Sequence, residues 1–286
     1  MLQYGFDKSA SLDEIIVRSS HDDITRRGLL SLLPDASLDD EIICMMSDYL
    51  TRRESCKSHG QPISWFLPTR YAQFATMPNA HLDGFKAASQ YRKHYMYDLH
   101  RCHQIFVPMH DGGHHWFMVL VKIKDKQAEI WDPLPDARRT RDREIQVNSI
   151  LHSLDAILHG VVDATYSVAW SFLSFVVTYG EGVPRQPNGF DCGVYVIKFM
   201  DTPGIITNKS YVYDSQNVRA QLALQLIDSP FNEQRDQLLA LANAHYSNAT
   251  TLINESKLAS TVKSRNVSTR KGHKNSCTKC RFRQKG

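Results

Sequence analysis

Cys192 lies in "RQPNGFDCGVYVIKF" (185–199), between Asp191 and Gly193, with an apolar run directly after it. A thiol acts as a nucleophile when a base holds it ionised, a third group orients that base, and hydrogen-bond donors await the oxyanion. Asp191 is a good helix N-cap, so the sulfur is expected in the first turn of a helix over about 189–201. There the helix dipole and free N–H groups favour thiolate. Gly189 and Gly193 leave room for a substrate backbone to approach. Gln186, six residues upstream, offers an amide N–H₂ that could complete an oxyanion hole with the backbone N–H of Cys192. By itself "DCG" favours a buried structural cysteine.

The base should be a histidine, and "HDGGHHWFMVLV" sets His114 and His115 at the mouth of an apolar run that reads as a strand. A side chain at a strand end is held rigidly yet remains accessible. Asp132, closing the next run in "EIWDPLP", could reach the same end of a sheet and orient an imidazole. An aspartate before proline is also ordinary turn chemistry, so each residue alone has a structural explanation. The stretch "LHRCHQIFVPMHDGGHH" contains enough histidines, with Cys102 and Asp111, to raise the question of a metal. Its spacing matches no compact zinc pattern, and an intervening strand would separate the ligands.

These side chains need elements to hold them. "SLDDEIICMMSDYLTRRES" carries apolar residues at helical spacing and predicts a helix over about 39–53, with Ser37 and Asp40 in a capping pattern. "QIFVPMH" (104–110) predicts a strand ending at Pro108. "HWFMVLVKI" (115–123) and "QAEIWD" (127–132) predict a hairpin across the turn "KDK". Residues 143–159 read as an amphipathic helix and 169–179 as a buried strand. Further helices are expected near 216–228 and 231–244. Helices, then strands, then helices again indicate an α+β architecture.

At 286 residues and 42% hydrophobic, the chain can bury a substantial core. No apolar run is long enough to span a membrane, and no secretory signal is visible at the N-terminus. Six scattered cysteines suit a reducing compartment, the nucleus or cytoplasm. The net charge of +4 conceals an asymmetry: residues 256–286 hold ten Lys/Arg and no acid, leaving net −6 over residues 1–255. That tail is expected to be flexible and able to meet nucleic acid or an import receptor. Its Cys277 and Cys280 form half of a zinc spacing without a second pair.

His115-Trp116, then Asp132 seventeen residues on, then Gln186 and Cys192 six apart: this order resembles the Ulp/SENP type of cysteine protease, which cleaves ubiquitin-like modifiers from precursors and conjugates. "DITRRGLLSLLPDASLDDEII" is similar to that family's leader and helix start, and "IFVPMH" to the strand before its catalytic hairpin. The resemblance runs from about Asp22 to Ala244. It implies a papain-like fold, a central mixed sheet flanked by helices, with a catalytic domain over 22–245 between an N-terminal extension (1–21) and the basic tail (246–286). It makes Cys192 the nucleophile, His115 the base, Asp132 its orienting partner and Gln186 the oxyanion donor. Trp116, Ser37, Asp39, Gly189 and Gly193 become substrate-binding positions. The implied substrate is the Gly-Gly tail of a modifier, SUMO-like, handled by a monomer without a metal or organic cofactor.

Two positions depart from the family pattern. Ser37 stands where a tryptophan usually forms one wall of the tail tunnel, and Trp65 in "ISWFLPTRY" is the candidate replacement. Pro133 stands where a serine is common. The departure at Ser37 leaves a second reading open, a modifier-binding or nucleic-acid-associated protein without catalysis. A third is an acyltransferase using the same triad.

Overall fold

The structure, a computed structural model, describes residues 1–77, 84–113, 115–165, 170–202 and 210–247, apart from the side chains of 84–85 and 163–165. The expected base alternative His114, the basic tail and its cysteine pair lie outside these residues. Leu2–Asp236 forms one compact unit, and the chain from Gln237 belongs to a second, whose described residues are helical to 247.

In chain order the first unit contains α1 (Leu2–Gly5), β1 (Ile15–Arg18), β2 (Asp23–Thr25), α2 (Arg26–Leu30), α3 (Asp40–Lys57), β3 (Ser64–Phe66) and α4 (Thr69–Thr76). The short helices α5 (Gly84–Ser89) and α6 (Arg92–Tyr95) follow. Then come β4 (Gln104–His110), β5 (Trp116–Lys122), β6 (Gln127–Trp131), α7 (Thr140–Thr165), β7 (Val176–Tyr179), α8 (Cys192–Asp201) and α9 (Ser215–Ile227). The central sheet runs β3-β4-β5-β6-β7. Its middle three strands form an antiparallel meander, and the edge strands β3 and β7 lie parallel to their neighbours.

Both faces of the meander are covered, which is why its strands read as continuous apolar runs rather than alternating ones. Ile105, Val107, Phe117, Val119, Val121, Ala128 and Ile130 join one core with Val147, Leu151 and Leu154 of α7 and Tyr71 of α4. Phe106, Met118, Leu120 and Trp131 take the opposite face, where Phe199 of α8 meets the Trp131 ring edge-on at 5.8 Å.

The strand expected to stop at Pro108 continues to His110. The ladder shows why it can. His103 and Ile123 are hydrogen-bonded opposite one another, as are Asp111 and His115, so every second residue between them points its N–H at β5. Pro108, opposite Met118, falls on the alternate register, and its missing N–H faces away beyond the end of the short β3.

The buried strand expected over 169–179 is reduced to Val176–Tyr179, an edge strand with Val176 exposed. Its aromatic lead-in is buried without strand pairing. Trp170, Phe172 and Phe175 pack ring against ring at 4.9–5.4 Å, and Asp155 of α7 accepts from the Phe172 N–H and Ser171 Oγ. Around α3, the cap is Asp39 rather than Ser37 or Asp40: its carboxylate accepts the Glu41 N–H at 3.0 Å, while Ser37 is exposed two residues earlier.

The residues before Asp22 are built into this unit. β1 pairs with β2, and the fully buried Arg26 sends its guanidinium to the carbonyls of Tyr4, Gly5 and Ser11 and to the Glu14 carboxylate at 2.6 Å. A chain lacking residues 1–14 would lose all four of these partners of Arg26 and the packing they bring over α2. Its unfolding free energy, measured by urea denaturation, should fall by about 3–5 kcal/mol relative to the full chain.

Candidate active site

β5 and β6 run antiparallel, so the start of one lies beside the end of the other. His115 directly precedes β5 and Asp132 directly follows β6. This places imidazole and carboxylate on the same rim of the sheet, with His115 Nε2 and Asp132 Oδ1 2.7 Å apart. Asp132 Oδ1 also accepts the Leu134 N–H at 2.9 Å, so the turn role and the orienting role belong to the same residue. With Nε2 directed at the carboxylate, Nδ1 remains for Cys192, whose side chain is hydrogen-bonded to the imidazole. Burial opposes charge on the ring, but the Asp132 carboxylate and the Cys192 sulfur outweigh it and push His115 up to about 9.

Cys192 opens α8 and is fully buried. Asp191 precedes it as the N-cap residue, but its side chain does not cap, contrary to the expectation from sequence. The carboxylate is drawn sideways instead, accepting from Ser215 Oγ at 2.5 Å, Asn188 Nδ2 at 2.7 Å and Arg219 Nη2 at 2.8 Å. Arg219, on α9 and also buried, continues to the carbonyls of Ser31 and Ala36 at 2.9 and 2.7 Å. One guanidinium thereby ties the turn before the thiol to the segment leading into α3. Arg219 and Arg143, which meets Asp132 Oδ2, are the functional neighbours that sequence reasoning missed. The only signal was an arginine within an otherwise amphipathic helix, which ordinarily means a solvated position.

Gln186 is buried in the loop that precedes α8. Its backbone N–H reaches the Pro133 carbonyl at 2.9 Å, fastening the Gln186 loop to the Asp132 turn. A carbonyl serves that contact whatever side chain it carries, so proline in the usual serine position does not disturb it. One amide N–H of Gln186 donates to the Asn188 carbonyl at 2.6 Å. The amide oxygen is buried with no hydrogen-bond partner among the described residues.

The expected substrate-binding positions divide. Ser37, Asp39, Asp40, Gln73, His110 and Trp116 line a groove of about 330 Å³. The Trp116 indole donates to the Leu38 carbonyl at 3.2 Å and is packed by the His110 ring at 4.5 Å. Burial and the neighbouring Asp39 carboxylate push Asp40 up to about 6. A side chain at Gly189 would meet open space. Gly193 has a different role: a Cβ there would come within 2.8 Å of the Leu38 side chain, so its bareness admits Leu38. Trp65 cannot replace the missing tunnel wall, because it lies fully buried in β3 within the main core. Among the described residues no three His, Cys, Asp or Glu side chains gather as a metal site. His103 and His110 stand at opposite ends of β4.

A thiol at a helix N-terminus, faced by an imidazole and a carboxylate from the rim of a mixed sheet, belongs to the papain-like α+β cysteine protease fold. Residues 37–230 match the Ulp1 protease family, C-terminal catalytic domain, and the chain belongs to that family. It is similar to ubiquitin-like-specific protease 1A of Arabidopsis thaliana, 28% identical over 202 residues that cover 68% of this chain and 37% of the relative. It is also similar to ubiquitin-like-specific protease ESD4 of the same plant, 25% identical over 64% of this chain and 35% of the relative. The chain thus spans roughly a third of the length of these curated relatives. The solved C-terminal Ulp1 protease domain in complex with Smt3, the yeast ortholog of SUMO, superposes with a TM-score of 0.60 at 18% identity. That match covers 81% of this chain and 94% of the other.

Two outcomes follow. Gly193→Ala should force Leu38 off α8 and lower both stability and Cys192 reactivity, read by thermal unfolding and by the rate of thiol alkylation. A raised His115 value means that the imidazolium favours the folded state. That contribution is complete below about pH 6.5, the ordinary histidine value, and is lost as pH rises through about 9. Unfolding free energy measured between pH 6 and 10 should decline across this window in the native chain and stay flatter in His115→Gln.

Proposed function

We propose that this chain is a thiol protease that cleaves after the C-terminal Gly-Gly of a ubiquitin-like modifier, SUMO-like in kind, releasing it from precursors or conjugates. One observation carries the reading: Cys192 opens a helix with its side chain hydrogen-bonded to His115, whose other nitrogen holds Asp132 at 2.7 Å. The family membership and the ubiquitin-like specificity named for the Arabidopsis relatives support the substrate class.

In this mechanism the Cys192 sulfur attacks the carbonyl carbon of the terminal glycine. The oxyanion is met by the backbone N–H of Cys192 and the remaining amide N–H of Gln186. As the tetrahedral intermediate collapses, the C–N bond breaks and the His115 imidazolium gives its proton to the departing amine. Neutral His115 then takes a proton from water, whose oxygen attacks the thioester, and the sulfur leaves with the modifier carboxylate released. Asp132 keeps the imidazole oriented and stabilises its cation throughout. The modifier tail lies along the groove beside Trp116, the residue next to the base. Ser37 leaves that groove open on one side.

A modifier bearing a C-terminal electrophile tests the proposal. SUMO and ubiquitin probes should form an adduct with the native chain that maps to Cys192, with SUMO the faster, and Cys192→Ala should form none. Binding without adduct formation would identify a non-catalytic binder. Full hydrolytic activity in Cys192→Ala would reject the mechanism.

A further inference from the structure

Two arginines, Arg143 in the first turn of α7 and Arg139 directly before that helix, stand in a relation to His115 that the proposed triad does not use. Arg143 lies in the first turn of α7 with only 2% of its side chain exposed, as does Asp132, and the two form an ion pair through Arg143 Nη1 and Asp132 Oδ2. Its guanidinium covers the Phe117 ring at 5.3 Å, two residues beyond His115 on β5. One helical turn earlier, Arg139 donates to the Asp111 carbonyl at 2.7 Å and approaches the Asp111 carboxylate at 3.6 Å. Asp111 in turn accepts the backbone N–H of His115 at 3.3 Å and that of Gly113 at 2.9 Å. The two carboxylates that touch His115, one at its ring and one at its backbone, are thus each held by an arginine from a single helix start.

We propose that Arg143 and Arg139 form a positioning clamp for His115, with Arg143 orienting the Asp132 carboxylate from its second oxygen and Arg139 fixing the turn from which the histidine emerges. This proposal rests on the catalytic reading of His115. The register accounts for the geometry. Asp132 shares strand parity with Ala128 and Ile130, which face α7, so its second oxygen points at that helix. Asp132 Oδ1 is occupied by His115 and the Leu134 N–H. Without Arg143, Oδ2 would be a buried anionic oxygen lacking a cation. A guanidinium suits this place because it is planar, stays charged when buried, and stacks on an aromatic face. A lysine would supply the charge without the stacking.

The charges facing this cluster come from several elements. His115 and Asp132 belong to the hairpin rim, Asp111 to the turn before β5, and Cys192 to α8. Asp136 acts on Arg143 from the segment before α7, and Asp142 of α7 lies 3.7 Å from Arg139. Arg143 draws on Asp132 from the side opposite His115, so removing it leaves the carboxylate free to hold the imidazolium proton more strongly. The His115 titration midpoint should therefore rise and the neutral base become scarcer at pH 7.

The full chain carrying Arg143→Met, Arg143→Lys or Arg139→Gln provides the test, followed by NMR titration of the His115 ring and by kcat and KM on a fluorogenic modifier substrate. Arg143→Met should raise the midpoint by about one pH unit and lower kcat at pH 7 by about 10–100-fold with KM little changed. Arg143→Lys should restore the midpoint but only part of kcat, separating charge from geometry. Arg139→Gln, half-exposed and safe for the fold, should lower kcat by about 10-fold. An unmoved midpoint in a cooperatively folded Arg143→Met variant would overturn the clamp. If that variant does not fold, unchanged kcat in both other variants would overturn it equally. A native chain without hydrolytic activity, yet with a His115 midpoint that follows Arg143, would refute the protease reading and leave the clamp standing.

Discussion

Leu38 is the joint on which the site turns. Its carbonyl receives the Trp116 indole N–H, and its side chain lies against the bare Cα of Gly193. Trp116 follows the base and Gly193 follows the thiol, so one buried leucine sets the separation between two residues from distant parts of the chain. Dispersion contacts are individually weak and have no direction, but they define a distance when both partners are rigid. Here one partner is a strand end within a five-stranded sheet and the other is the first turn of a helix. The same leucine directly precedes Asp39, the cap of α3, so the joint is tied to a third rigid element.

Around that joint the fold buries charge in pairs. Asp191 with Arg219 and Asp132 with Arg143 are each 2% exposed at both side chains. Such pairs gain little over a well-packed apolar substitute, because desolvation consumes much of their attraction. Their contribution is directional: Asp191 accepts from three side chains, and Asp132 holds His115 and the Leu134 N–H on one oxygen while the other faces Arg143. Asp191 unites the nucleophile turn with α9 and the segment before α3, while Asp132 unites the hairpin rim with α7. The catalytic geometry is thereby referred to five segments of the chain.

The groove beside Trp116 is where this chain differs most from the family pattern. Ser37 is exposed there, and Trp65 is committed to the core. The lining includes a carboxyl pair, Asp39 and Asp40, with Asp40 pushed up toward neutrality by burial and by its neighbour. A less enclosed and more polar wall changes what the groove can contact alongside an extended tail, while the thiol, imidazole and carboxylate keep their relation.

The sequence by itself determined the chemistry and the local elements. The thiol, imidazole and carboxylate were candidates by type and spacing, because a hairpin of two apolar runs brings its open ends to the same rim; the choice of His115 over His114 and the role of each residue came from the family resemblance. The helix was legible over 143–159 because one buried face imposes a period, and the meander because strands buried on both faces read as continuous apolar runs. The tertiary structure decided everything that depends on what lies opposite. Only the ladder register shows why Pro108 is tolerated within β4, and only the packing shows that Gly193 makes room for Leu38. Asp191 looked like a cap and became the partner of Arg219, twenty-eight residues away, because a buried carboxylate takes the strongest donors within reach rather than the nearest in sequence. Periodicity records which face of an element is dry. It carries no record of which charge waits on the other side, so nothing in the sequence marked Arg143 or Arg219 before the fold placed each against its aspartate.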